Sequence, residues 1–270
     1  MLKDITIGQY FPGNSPIHRM DSRVKLVLTI AYIVMLFMAN NIYGLFIGIA
    51  FTLLVYTISR IPPVMMLKSL KPIVPIILIT SVLNLFFIRS GEVLVKWKFL
   101  VITKEGVDTA VFMTIRIVCL IVGTSLLTYT TSPIDLTDAI ERLLSPLKKL
   151  RVPVHELAMM MTIALRFIPT LIEETDKIMA AQKARGAQLE TGSLMQRARA
   201  LVPVLIPLFV SSFRRAEELA LAMECRCYHG GEGRTRMKQL RTSAVDYIAM
   251  ALTALFIAGV VAVNILTKGA

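Results

Sequence analysis

Apolar residues in this chain are gathered into long runs, with few charges to break them and no helix or strand period within them. Five stretches, residues 24–39, 42–59, 72–88, 107–130 and 244–266, approach or exceed the about 20 mainly apolar residues needed to cross roughly 30 Å of hydrocarbon, the first being slightly short. Each is predicted to be a membrane-spanning helix. Asn40-Asn41 separates the first two as a tight hairpin, and Arg60-Ile61-Pro62-Pro63 ends the second by removing backbone donors.

Between residues 131 and 242 the pattern becomes amphipathic. Ser132-Pro133 is a helix start, a capping residue followed by proline in the first turn. Ile134, Leu136, Ile140, Leu143, Leu144 and Leu147 then form one apolar stripe, opposed by Asp135, Asp138, Glu141 and Arg142, and the helix is expected to stop near Pro146. Pro153 opens a second helix running to Gly186, about 50 Å at 1.5 Å per residue. Gly192-Ser193 opens a third that runs, with proline kinks at Pro203 and Pro207, to about Tyr228.

Charge decides how these elements sit in a bilayer. The net charge is +12, and by the positive-inside rule the side richer in Lys and Arg faces the cytosol. Four of these residues lie in the N-terminal segment, three between the second and third spans and seventeen within 131–242, whereas the opposite side has only Arg89, Lys96, Lys98, Lys104 and Lys268. The N-terminus and residues 131–242 are therefore expected to be cytoplasmic and the C-terminus external. Lys96-Trp97-Lys98 would be an outer interfacial anchor.

The same rule excludes crossing by the apolar patches 155–172 and 201–213, which would carry Lys177, Lys183, Arg185, Arg197 and Arg199 outside. They read as long helices against the cytoplasmic end of the bundle. The expected division is 1–130, an N-terminal segment with four spans; 131–242, a cytoplasmic helical region; and 243–270, a last span. With Asp4, His18, Arg19 and Asp21 early in the chain, no cleavable signal peptide is read. Charge so placed faces protein and the lipid bilayer, and no nucleic acid partner is expected.

Candidate chemistry lies at the ends of the two long helices. Ala181-Gln182-Lys183-Ala184-Arg185-Gly186 and Ala222-Met223-Glu224-Cys225-Arg226-Cys227 share the order Ala-x-x-small-Arg-small, 41 residues apart, each preceded by an acidic pair, Glu173-Glu174 or Glu217-Glu218. A cation at a helix C-terminus is favoured by the macrodipole, small flanks let a partner reach the guanidinium, and a guanidinium can pair bidentately with a carboxylate.

Alanines 180, 181, 184, 187, 216, 220 and 222 are expected to let the two helices cross closely. Ile172, Ile178, Met179, Phe213, Leu219 and Met223 form an apolar face that either fills the contact between the helices or receives a second membrane subunit. Catalytic, cofactor and metal sites are not expected. Cys225-x-Cys227-x-His229 lacks a fourth ligand and has narrow spacing for zinc, His18 and His155 have no acid-base partner at recognisable spacing, and a Walker-type ATP loop is missing. Asp135-x-x-Asp138 sits where a helix start favours acids. Arg116, costly in lipid, is expected to face the bundle interior and pair with backbone or a neighbouring helix, or to bind substrate.

With these motifs the chain resembles the transmembrane T component of energy-coupling factor transporters. The resemblance spans nearly the whole chain. It rests on Gly8-Gln9-Tyr10-x-Pro12-Gly13-x-Ser15-Pro16-x-His18-Arg19-x-Asp21-x-Arg23-x-Lys25, on Glu156-x-Ala158-Met159-Met160 followed by Ala164-Leu165-Arg166-Phe167-Ile168-Pro169-Thr170, and on the Ala184-Arg185-Gly186 helix end. It implies an all-α polytopic bundle with long amphipathic cytoplasmic coupling helices.

It also implies a non-catalytic role between two ABC-type ATPases, as a homodimer or heterodimer, and a membrane S component that binds a vitamin or metal ion. Arg185 and Arg226, with Ala184, Gly186, Cys225 and Cys227, would plug into the ATPases, and the apolar face would hold the S component. Cys on both sides of Arg226 departs from the family's Ala-Arg-Gly. The alternative is a membrane anchor or scaffold for another cytosolic complex.

Overall fold

The computed structural model describes residues 10–88, 90, 92–97, 100–187, 193–231 and 242–268. Gly8 and Gln9 of the N-terminal motif, Arg89, Lys98, Gly192, and the basic run Arg234, Arg236, Lys238 and Arg241 lie outside the described residues. Ten α-helices form among the described residues: α1 (Pro16–Arg19), α2 (Ser22–Met38), α3 (Ile42–Ser59), α4 (Pro63–Leu70), α5 (Val74–Phe87), α6 (Lys104–Thr130), α7 (Pro133–Leu144), α8 (Val154–Ala184), α9 (Leu194–Glu224) and α10 (Ala244–Lys268).

The fold is all-α apart from one antiparallel ribbon, Val93–Trp97 with Leu100–Thr103, in the stretch read as an outer loop. The chain divides into two compact units, one containing 10–139 and 242–268 and the other 140–231.

Five helical stretches are long and apolar enough to cross a membrane: Ile42–Ser59, Pro63–Phe87, Lys104–Thr130, Val154–Ala184 and Ala244–Thr267. Three of these match the sequence reading closely. The third predicted span begins earlier, because α4, a 3₁₀ turn at Lys71–Ile73 and α5 form one apolar rod around Pro72. The two lists also exchange a member. α2 has only 17 residues, about 26 Å. α8 meets the length and composition standard; the sequence count leaves it out on the positive-inside rule, with Glu156, Arg166 and Pro169 arguing the same way.

Short as it is, α2 is the centre of the first unit. Met35 and Leu36 are fully buried, in a core with Tyr32, Phe51, Cys119 and Val260 from α2, α3, α6 and α10. Two glycines permit this packing. A Cβ at Gly123 would lie 2.1 Å from the Tyr32 ring, and one at Gly48 would lie 2.5 Å from Leu36. Gly123→Ala is therefore expected to displace Tyr32 and lower stability by about 1–3 kcal/mol, measured by thermal unfolding of the purified chain.

Polar clamps hold both ends of α2. At its start Asp21 caps the helix through the Arg23 amide and forms a double-pronged ion pair with the Arg23 guanidinium, the shortest contact being 2.6 Å. The Asp21 amide donates to Asp246 Oδ1 on α10 at 3.0 Å, and Asp246 Oδ2 accepts from the Ser243 amide at 2.6 Å. Lys25 Nζ donates to the carbonyls of Thr130 (2.9 Å) and His18 (3.2 Å), joining α2 to the ends of α6 and α1.

At the far end of α2, Arg116 donates to the Ala39 carbonyl and lies 4.6 Å from the Phe112 ring centre. Asn264 donates to the Met38 carbonyl at 2.5 Å. Arg116 thus pairs with backbone, as a cation at a helix C-terminus favoured by the dipole.

The N-terminal motif owes its order to His18. Its Nε2 donates to the Phe11 carbonyl at 3.0 Å, and its Nδ1 shares a hydrogen bond with Ser15 Oγ at 2.7 Å. Phe11 in turn donates its amide to the Tyr129 carbonyl. A Cβ at Gly13 would strike the His18 ring, so residue 13 has to be small.

Burial, the largest influence, pushes the His18 pKa below its ordinary 6.5, aided by the Lys25 charge and opposed by the bond to Phe11. A base whose folded pKa is depressed contributes its stability above the unfolded pKa and loses it as pH falls through the folded one. The unfolding temperature is therefore expected to fall from pH 7 to pH 5 more steeply in the wild type than in His18→Gln.

Candidate functional site

The second unit is dominated by α8 and α9, 31 residues each, about 46 Å. α9 starts with a complete capping box, Ser193 and Gln196 exchanging bonds with each other's backbone. Two side-chain links set the pairing, Gln182 with the Pro203 carbonyl at 3.4 Å and Glu174 with Arg215 at 3.1 Å, and Met159 and Ile163 line one cavity with Leu219 and Met223. As the number on α8 falls, the number on α9 rises, so the helices are antiparallel along their length. The first of these contacts has a local cause. Pro207 has no N–H for the carbonyl four residues back, and the Gln182 amide takes that free Pro203 carbonyl instead.

The two arginine ends have the same backbone geometry. After α8, Gly186 adopts φ +87, its amide donates to the Lys183 carbonyl at 3.0 Å, and the Ala187 amide donates to the Gln182 carbonyl at 3.0 Å. After α9, Cys227 adopts φ +56, its amide donates to the Glu224 carbonyl at 2.8 Å, and the Tyr228 amide donates to the Met223 carbonyl at 3.1 Å.

Both are Schellman closures, with Arg185 and Arg226 in equivalent places immediately before the left-handed residue. Both arginines are exposed, as are Ala184, Gly186, Cys225 and Cys227. Cys227 does this despite a Cβ that disfavours the left-handed region. Cys227→Gly is expected to gain about 0.5–1 kcal/mol locally, read as slower hydrogen exchange of the Tyr228 amide.

Because the helices are antiparallel, the arginines lie at opposite ends of the pair. This overturns the expectation that alanines of the two helices meet at a close crossing. Ala180, Ala181, Ala184, Ala216, Ala220 and Ala222 are all exposed, and 180–187 and 216–222 occupy opposite ends. The alanines near each arginine leave its surroundings bare.

The six apolar candidates separate. Leu219 and Met223 line the cavity of about 620 Å³ beside Arg226 and Cys227. Ile172, Ile178 and Met179 are half-buried, and Phe213 is 68% exposed. Phe213 belongs to a stripe of exposed apolar residues, Val202, Ile206, Phe209 and Val210, at helical spacing on α9. The sequence reading gave that face only through Phe213. The signal was present as the apolar patch 201–213, but periodicity could not tell which side its neighbour would cover.

His155, read as lacking a partner, bonds through Nδ1 to Glu141 at 3.0 Å. The fourteen-residue separation crosses the bend between α7 and α8 and matches no helical spacing. A Cβ at Gly231 would fall 2.4 Å from the His155 ring. Among the described residues, no three His, Cys, Asp or Glu side chains converge as a metal site would require.

Comparison with known proteins places these features in a family. The family model for CbiQ, cobalt transport protein, matches residues 13–237. The chain is similar to the energy-coupling factor transporter transmembrane protein EcfT of Clostridium kluyveri, 60% identical over 250 residues, 92% of this chain and 93% of the relative. It is 53% identical to the protein of that name from Ruminiclostridium cellulolyticum over 261 residues, 97% of each chain. It is also 48% identical to that from Bacillus subtilis over 246 residues, 91% of this chain and 93% of the relative. A multi-pass membrane protein with an N-terminal polar clamp and two arginine-tipped helices, the chain belongs to the CbiQ family, that of the energy-coupling factor transporter transmembrane proteins.

Proposed function

We propose that the chain couples two cytoplasmic ABC-type ATPases to a membrane S component during uptake of a vitamin or metal ion. In this reading residues 1–130 and 243–270 form the membrane bundle, residues 131–242 face the cytosol, and the N-terminus is cytoplasmic. The chain itself is not catalytic. The carrying observation is the pair of exposed arginines, Arg185 and Arg226, in matching caps at opposite ends of one antiparallel helix pair.

Opposite ends suit two separate ATPase protomers, one guanidinium for each. A stiff pair of helices then converts a change in protomer spacing into tilting of whatever rests on its apolar face. Val202, Ile206, Phe209 and Phe213 supply that face on α9 for the S component, and Leu219 and Met223 lie at the Arg226 end. The S component would choose the substrate.

The test is a charge scan of residues 131–242 in a co-purification assay with the ATPases. Abrupt loss at Arg185 and Arg226 alone supports plugs. Gradual loss with each Lys or Arg removed would point to an electrostatic anchor instead.

A further inference from the structure

The first unit contains a cavity of about 600 Å³ between α2, α3, α6 and α10, lined also by Pro16, Ile17 and Met20. Its wall runs along residues 25–32, 51–58, 123–130 and 245–253, about 12 Å of each helix at 1.5 Å per residue. That is close to one leaflet, half of the roughly 30 Å hydrocarbon core.

The wall determines what can enter. Six polar side chains line it, Lys25, Thr29, Tyr32, Thr52, Thr130 and Thr253, and each is bonded within the protein. The threonines donate to carbonyls of their own helices, Tyr32 donates to the Cys119 carbonyl, and Lys25 donates to the His18 and Thr130 carbonyls. The hydroxyls have spent their protons on carbonyls and Lys25 two of its three, so the wall offers a polar ligand few donors. Water is equally unsuited, since it needs two to four polar partners.

We propose that this cavity holds one acyl tail of a membrane phospholipid, selected by the tail and not by the headgroup. The apolar walls fit the tail chemically, the length fits one leaflet, and the bilayer supplies the ligand to a membrane protein at high local concentration. Bound there, the tail lies along Lys25 to Tyr32 of α2 and Val245 to Thr253 of α10. The proposal requires only that the chain sits in a bilayer, and is independent of the ATPase reading.

The experiment uses the full chain in the membranes of cells that make it, supplied with a zwitterionic phospholipid carrying a diazirine midway along one tail. After photolysis, labelled positions are mapped by peptide mass spectrometry. The expected result is at least tenfold more label on Leu28, Val55 and Leu127 than on Phe46 and Phe87, which are exposed elsewhere on the same unit.

Ala249→Phe on α10 and, separately, Leu28→Trp on α2 are expected to abolish the wall label while leaving Phe46 and Phe87 labelled as before, which shows that the variant is folded and inserted. Equal labelling of wall and exterior would overturn the proposal, as would wall label that persists in both folded variants. Wall label seen only after membrane partners are removed would give the cavity to a polypeptide and overturn it too.

Discussion

Substituting Arg185 and Arg226 together by alanine is expected to release both ATPases and abolish uptake, with the chain still folded in the membrane. Truncating one partner of a buried charge pair costs about 2–5 kcal/mol, about thirtyfold in affinity even at the lower end. Both side chains are exposed in the isolated chain, so their removal leaves no unsatisfied group inside it and should not move its unfolding temperature. The two sites lie at opposite ends of helices about 46 Å long, far beyond the range over which substitutions couple. Each single variant should therefore weaken one ATPase contact independently.

Arg→Lys at either site keeps the charge but loses the planar fork and should give an intermediate loss. The measurements are co-purification of the ATPases, ATP hydrolysis and substrate uptake on the same preparations. Unchanged binding and uptake in the double variant would reduce both arginines to ordinary helix ends.

Lys25→Met is expected to have the largest effect on stability of any single substitution in the bundle. Lys25 is 6% exposed and donates to the last carbonyl of α6 and to the His18 carbonyl. Methionine fills much of the same volume but strands both carbonyls and takes a buried cation from the junction of α1, α2 and α6. Removing one partner from a buried ionic arrangement costs about 3–5 kcal/mol. The expected outcome is a large fall in the unfolding temperature of the purified chain. Lys148→Met, at an exposed position, should stay within about 0.5 kcal/mol of the wild type.

Hydrophobic run length and charge placement made the membrane helices legible, because a lipid solvent demands long apolar segments whatever their neighbours are. The long amphipathic helices were legible too, since their starts and stops depend on local chemistry. Ser193 caps α9, and Gly186 closes α8 in the left-handed region it enters without a Cβ penalty. The likeness of the two arginine ends was visible in sequence because each closure is made within about six residues. Even the cysteine at 227 proved compatible with the conformation that glycine takes at 186.

Other features depend on residues far apart in the chain. Residues 21, 25, 130 and 246 meet only when α2, α6 and α10 pack together, so a buried clamp looked in sequence like scattered charge. Arg116 finds Ala39 for the same reason, and His155 finds Glu141 around a bend that periodicity does not describe. The sequence by itself determined an all-α, multi-pass chain with two arginine-tipped helices, because segment hydrophobicity and helix termination are local properties. Only the tertiary structure decided that those helices run antiparallel with their arginines at opposite ends, and that a short α2 carries the core. Direction of packing and the sharing of buried charge are set by contacts between elements, which no single segment encodes.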